Sequence, residues 1–168
     1  MVLDVLAERA GIRLSPGKGA RSRAVSGEGR LAGRRVVLAR PLTYMNESGG
    51  PVRALLDYHK LPVTDLVVVH DELDIDFSVV RLKRGGGEGG HNGLRSITRS
   101  TGSKDYLRVR VGIGRPPGRQ DPADFVLKDF SATERKELDL LLVEAADATE
   151  LLLARGLEAA QNEVHPRS

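Results

Sequence analysis

The 168-residue sequence has no cysteine and no tryptophan, and only three tyrosines and three phenylalanines. Without cysteine there is no disulfide framework, no thiolate nucleophile and no cysteine zinc site. No apolar run approaches the roughly 18–20 residues that a membrane span needs. No basic-then-apolar signal segment stands at the start, so a soluble, cytoplasmic protein is expected. Repeats and low-complexity linkers are also lacking, and the length suits a single domain with its own core. Net charge is small, +3, but it is unevenly spread. Residues 81–119 hold 10 basic and 2 acidic side chains, whereas residues 120–168 hold 5 basic and 11 acidic. The basic segment fits an electrostatic footprint for a polyphosphate backbone, or an ordinary solvated surface.

What is present reads as alternating helices and strands. VLDVLAERAG (2–11) has helical spacing at Leu3, Leu6 and Ala10, with Gly11 as the stop. AVSGEG and RVVLAR form a hairpin around LAGR (31–34). PLTYMNESGG (41–50) is a loop in which Asn46 or Ser48 caps a helix over roughly 50–60, ending before Pro62. LVVVH (66–70) is a continuous apolar run, the pattern of a strand buried on both faces, with an acidic stretch at its carboxyl end. SVVRLKR (78–84) and YLRVRVGIG (106–114) alternate apolar and basic residues. Each should be half exposed, with Arg108 and Arg110 on one face. A helix runs from His91 to about Thr101. SATE (131–134) is a capping box opening a long helix with Leu138, Leu141, Leu142, Ala145 and Leu152 as its apolar stripe, ended by Gly156. The fold class expected is α/β with a mixed sheet.

The most informative stretch is GGGEGGHNG (85–93). Five glycines among six residues clear side chains from a loop, so backbone N–H groups can approach an anion closely. His91 and Asn92 follow at a helix start, which already favours negative charge. Gly85, Gly87 and Gly90 fit the G-x-G-x-x-G pattern with Asp105 twenty residues on, but the flanking strands alternate with arginine and the helix opens on His-Asn, which disfavours a dinucleotide site. A P-loop is excluded, since Lys-Ser/Thr does not follow. HDELD (70–74) offers a carboxylate-type metal site, a carboxylate (Asp71) that orients a histidine base, or a solvated acidic turn that would suit Glu72, Asp74 and Asp76. Tyr44 and Met45 on a polar loop suit stacking against a sugar or base. His59 reads as a helix C-terminal dipole contact. His70 and His165 read as partly buried or tail residues.

PLTYMNESG (41–49), HDELD (70–74) and GGGEGGHNGLRS (85–96), with RVRVGIGRPPG (108–118) and FVLKDFS (125–131), together resemble bacterial peptidyl-tRNA hydrolase, the actinobacterial form most closely, over essentially all 168 residues. The resemblance implies a single α/β domain with a twisted mixed sheet flanked by helices. It implies a monomeric, cytoplasmic, metal-independent esterase without cofactor, with peptidyl-tRNA as substrate. By position, Asn46 and Asn92 match two site asparagines that bind the terminal ribose and peptide region. Tyr44 and Met45 match cleft-lining positions. Asp71 matches the carboxylate that orients the catalytic histidine, and His91 a supporting histidine. Lys83 and Arg110 match basic positions that meet the tRNA backbone.

The family pattern also has a first strand, a GLGNPG turn and an RHN motif with the catalytic histidine, all ahead of the VLDVLAERAG helix where this sequence starts. The resemblance therefore implies that these 168 residues lack the first strand and the catalytic base. Either the start is assigned at an internal methionine or the chain is short and impaired. Two rival functions remain: a catalytically inactive RNA-binding module of the same fold, and a dinucleotide or phosphoester enzyme.

Overall fold

The computed structural model describes residues 2–16, 23–114 and 132–165, with side chains in the last segment from residue 136 onward. Ser131 of the capping box, the RPPG of RVRVGIGRPPG and all of FVLKDFS lie outside the described residues. Helix α1 (Val2–Ala10) is followed by strands β1 (Ser15–Pro16), β2 (Ala24–Leu31) and β3 (Arg34–Pro41). A 3-10 turn (Met45–Glu47) leads into α2 (Gly49–His59). Strands β4 (Val67–Glu72) and β5 (Val80–Arg84), helix α3 (Asn92–Thr101) and strand β6 (Leu107–Gly112) come next, then α4 (Ala132–Arg155) and α5 (Leu157–Val164). The α/β class is as expected. None of the described helices is long and apolar enough to cross a membrane.

The residues gather into two compact units, one of Met1–Val5, Val68–Lys83 and Arg108–Ser168, the other of Leu6–Val67 and Arg84–Leu107. In the second unit, β1-β2-β3 form an antiparallel sheet. The hairpin closes between Leu31 and Arg34, with Ala32 and Gly33 at φ 52° and 78°. Both central residues are thus left-handed, as a type I′ turn requires. Gly27 and Gly29 lack the Cβ that would meet Ile12, whose Cγ atoms would be 2.5 Å away. The bare strand face is what lets the chain after α1 lie on the hairpin. Helix α3 is held by Tyr106, fully buried, whose hydroxyl meets Thr98 Oγ1 at 3.1 Å and donates to the Leu94 carbonyl at 3.4 Å.

Strand order in the other sheet is β4-β6-β5. Leu107 N–H donates to Leu66 O and Ile113 N–H to Glu72 O, so β4 and β6 run parallel. Gly112 N–H donates to Val79 O and Gly85 N–H to Tyr106 O, so β5 and β6 run antiparallel. The sheet is mixed, as its sequence patterns suggested. Two expectations fail here. Strand β4 is not buried on both faces, since Val67, Val68 and Val69 are half-buried and only His70 is buried. Arg108 is not on a half-exposed face but is fully buried, as is Val109. A central strand has both faces covered, so apolar–basic alternation on β6 does not report a solvent face. Alternation holds on β5, where Val80 and Leu82 are buried and Arg81 and Lys83 are not. Strand β4 also runs further than its apolar run, through Asp71 and Glu72.

In α4, Leu141, Ala145 and Leu152 are buried, with Ala146, Ala148 and Thr149 widening the stripe. Gly156, at φ 84°, ends it, and α5 begins at once. This short helix has a definite task. Gln161 Nε2 donates to Leu82 O at 3.0 Å, and Leu82 N–H donates to His165 Nε2 at 2.9 Å. Both peptide groups of Leu82 are thereby satisfied by side chains on the β5 edge away from β6, which protects that edge from foreign strands.

Candidate active site

Residues 44–46 and 91–93 lie in one unit and are packed together. Tyr44 is 82% exposed and Met45 53% exposed, so an aromatic and a thioether face solvent on a polar turn. Asn46 is exposed, and its carboxamide has no hydrogen bond to the described residues. The expected capping role of Asn46 or Ser48 is not what the structure shows. Ser48 Oγ donates back to Met45 O at 2.8 Å, and neither side chain caps α2. The cap comes from outside. Gly49 N–H donates to Ser96 Oγ of α3 at 2.9 Å, across a buried contact. A Cβ on Gly49 would run into the Ser96 carbonyl oxygen, so only glycine permits this approach.

The glycine run before α3 contains left-handed residues, among them Gly86 and Gly90 at φ 88° and 81°. His91 then caps α3, its Nδ1 accepting from Leu94 N–H at 3.2 Å. An accepting Nδ1 carries no proton, so the ring's hydrogen lies on Nε2. Asn92, first residue of the helix, is exposed and likewise has no hydrogen bond to the described residues. A Cβ at Gly93 would lie 2.9 Å from His91 Cε1 and 3.1 Å from Met45 Cγ. Gly93 is therefore where the Met45–Glu47 turn meets the start of α3.

Two matched contacts set the helix directions. Gly49 bonds to Ser96, and Arg53 Nη1 donates to Ser100 O at 2.8 Å, four residues further along both helices. Helices α2 and α3 thus run the same way. Their amino-terminal ends, with their positive partial charge, face one side. Asn46, His91 and Asn92 stand at that side. Two carboxamides and an imidazole N–H beside the positive ends of two helices suit carbonyl, hydroxyl or phosphate oxygens.

Asp71, Lys83 and Arg110 belong to the other unit. Asp71 is half-buried near the end of β4. His70 beside it is buried, and its Nδ1 donates to Asp71 O at 2.9 Å. Lys83 on β5 and Arg110 on β6 share one electrostatic environment. Burial lowers the Lys83 pKa, Arg110 and Arg108 lower it further, and Glu72 opposes them. Arg110 is lowered chiefly by burial, again against Glu72. The Arg110 Nε is buried with no hydrogen-bond partner among the described residues. Glu72 is no member of a solvated turn; its side chain is only 14% exposed. The apolar run preceding it hid this, because the strand continues past its last valine.

The remaining histidines have other employment. His59 pairs with Glu28 at 3.2 Å, and His165 holds the β5 edge. Among the described residues no group of three or more His, Asp or Glu side chains could hold a metal ion. Sequence reasoning missed Ser96 and Gly49. A small polar residue between the buried Leu94 and Ile97, and a glycine at a helix start, were the available signals.

Comparison with known proteins agrees along the whole chain. The family model described as Peptidyl-tRNA hydrolase matches residues 1–168. A protein of that name from Frankia casuarinae is 66% identical over 165 residues, covering 98% of this chain and 82% of the relative. One from Nocardia farcinica is 61% identical, covering 98% and 84%. The crystal structure of peptidyl-tRNA hydrolase from Acinetobacter baumannii superposes with a TM-score of 0.86 at 33% identity, covering 97% of this chain and 82% of that one.

Proposed function

The chain belongs to the peptidyl-tRNA hydrolase family, and from that premise we propose that its site serves hydrolysis of the ester between a peptide and the terminal ribose of tRNA. The observation that carries this reading is the seating of the Met45–Glu47 turn against the start of α3 at Gly93, which joins the elements bearing Asn46 and Asn92.

The chemistry follows from the residue types. Water attacks the ester carbonyl carbon while an imidazole accepts its proton, and carboxamide N–H groups of Asn46 and Asn92 stabilise the developing oxyanion. Collapse breaks the bond to the ribose oxygen, which leaves protonated as a hydroxyl, and releases the peptide as a free acid. His91 serves as a donor through Nε2, since its Nδ1 is committed to Leu94. Asp71 is the carboxylate that orients the base. Tyr44 and Met45 offer apolar surface to a base, sugar or peptide side chain. Lys83 and Arg110 meet phosphates of the tRNA. The reaction needs neither metal nor cofactor, and the enzyme works as a cytoplasmic monomer.

We assign the base to the histidine of the family's RHN motif, a position that none of the four histidines present matches. His59 pairs with Glu28, His70 Nδ1 with Asp71 O and His165 Nε2 with Leu82 N–H, while His91 Nδ1 is committed to Leu94 N–H. Under this proposal the 168 residues alone should turn over at least about 100-fold more slowly than a chain that also carries the family's RHN histidine, the usual worth of general-base catalysis. Hydrolysis of N-blocked aminoacyl-tRNA by both chains is the test. Equal rates would return the base to His91. Binding without turnover in the extended chain would make the protein an RNA-binding module.

A further inference from the structure

We propose that Ser96 is a positioning residue for this site. Through its bond to the Gly49 N–H it locks the turn carrying Asn46 to the helix carrying His91 and Asn92, and so sets the separation of the two carboxamides. The inference rests on the function proposed above and concerns how its donors are held.

Three observations carry it. Ser96 is 3% exposed, and its hydroxyl accepts from Gly49 N–H at 2.9 Å. That N–H belongs to the first turn of α2, where backbone donors have no partner within the helix. No side chain near the start of α2 supplies the cap, because Ser48 turns back to Met45. Finally, the lever arm is short. Asn46 lies three residues before Gly49 in a tight turn closed by Glu47 N–H to Tyr44 O and Ser48 N–H to Met45 O. A turn closed by its own hydrogen bonds moves with its anchor. The anchor is on the same helix as Asn92, one turn further in. Loss of the bond strands a buried N–H, and the turn must shift to find water or another acceptor.

Arg53 to Ser100 O is a second clasp further along both helices. It preserves helix packing but stands farther from the turn than Gly49 does. The expected consequence of losing Ser96 is therefore misplacement of Asn46 without collapse of the fold.

The experiment compares Ser96→Ala and Ser96→Thr in the background of Asn46 and of Asn46→Ala, using N-blocked aminoacyl-tRNA and the upstream-extended chain. Ser96→Ala should lower kcat about 10- to 100-fold, the scale of an ångström-size misplacement, with KM changed less than about twofold. Ser96→Thr, which retains the hydroxyl, should recover most of the loss. With Asn46→Ala already in place, Ser96→Ala should add little, since the residue it positions is gone. A full loss in that background, or no loss in the Asn46 background, overturns the proposal. A second readout needs no turnover. Side-chain amide NMR signals of Asn46 should shift in Ser96→Ala and return in Ser96→Thr; unchanged signals would also overturn it. Absence of hydrolysis by the parent chain would sink the functional reading alone, and the NMR result would still decide the role of Ser96.

Discussion

At Gly93 helix propensity favours a methyl group that the packing around His91 and Met45 disfavours. This position in the first turn of α3 tolerates any residue that a helix tolerates, and alanine there would gain up to about 1 kcal/mol in helix propensity. A Cβ would nonetheless meet the His91 ring at 2.9 Å and Met45 Cγ at 3.1 Å. Met45 is flexible and half exposed, so it can give way. The imidazole cannot rotate without loosening its Nδ1 from Leu94 N–H. Gly93→Ala should accordingly leave Tm within about 3 °C of the parent, because the propensity gain offsets the lost cap. It should also cut kcat for N-blocked aminoacyl-tRNA by about tenfold or more. Calorimetry together with steady-state kinetics checks both, and an unchanged kcat would remove His91 and the turn from the site. At this scale the sequence is most legible where side-chain chemistry is unusual for its place. His91 and Asn92 after a glycine run are of that kind. Ser96 is not, because its role depends on a backbone N–H forty-seven residues away.

Elements are legible in proportion to how local their causes are. The β2–β3 hairpin, α3 and the stop at Gly11 follow from turn chemistry and caps close in sequence. Ala32 is a local imperfection. It sits at φ 52° in a turn whose first central position favours asparagine. Ala32→Asn should stabilise the chain by about 0.5–1 kcal/mol, raising Tm by roughly 1–4 °C. A lower Tm would contradict the type I′ assignment. The burial of Arg108 and the task of α5 were not legible, since both depend on which strand lies in the middle of a sheet. Helix α5 also confers a pH dependence. His165 must be neutral at Nε2 to accept from Leu82 N–H. Burial, then Arg81 and Arg110, lower its pKa below the ordinary 6.5. The sign follows from proton linkage: the unfolded chain binds a proton that the folded chain resists. The contribution is complete above about pH 6.5 and declines as pH falls from there toward the lowered value. Urea titrations between pH 5 and pH 8 should show this decline in the parent and a flatter profile in His165→Ala. That variant should also be weaker at neutral pH by about 1 kcal/mol, the worth of an ordinary hydrogen bond. Parallel profiles would remove His165 from the edge contact.

Across the whole molecule the clearest sequence signal is charge segregation. Basic residues crowd positions 81–119 and acidic ones positions 120–168, although the net charge is only +3. The structure gives part of this excess a definite form: burial, then Arg110 and Arg108, lower the proton affinity of Lys83, and burial, Arg81 and Arg108 lower that of Arg110, with Glu72 opposing in both cases. Holding like charges together costs stability that an anionic partner would recover. Binding tRNA phosphates displaces condensed counterions, so the observed affinity should fall steeply with salt. Lys83→Ala should weaken binding of peptidyl-tRNA at low salt and reduce the slope of log affinity against log salt by about one. Its kcat should stay near the parent value, because a phosphate contact is made equally in ground and transition states. Asn92→Ala should do the reverse, lowering kcat while leaving the salt slope intact. Filter binding across a salt series, paired with single-turnover rates, separates the two. An unchanged slope in Lys83→Ala would mean that this lysine serves the sheet through Glu72 and not the substrate.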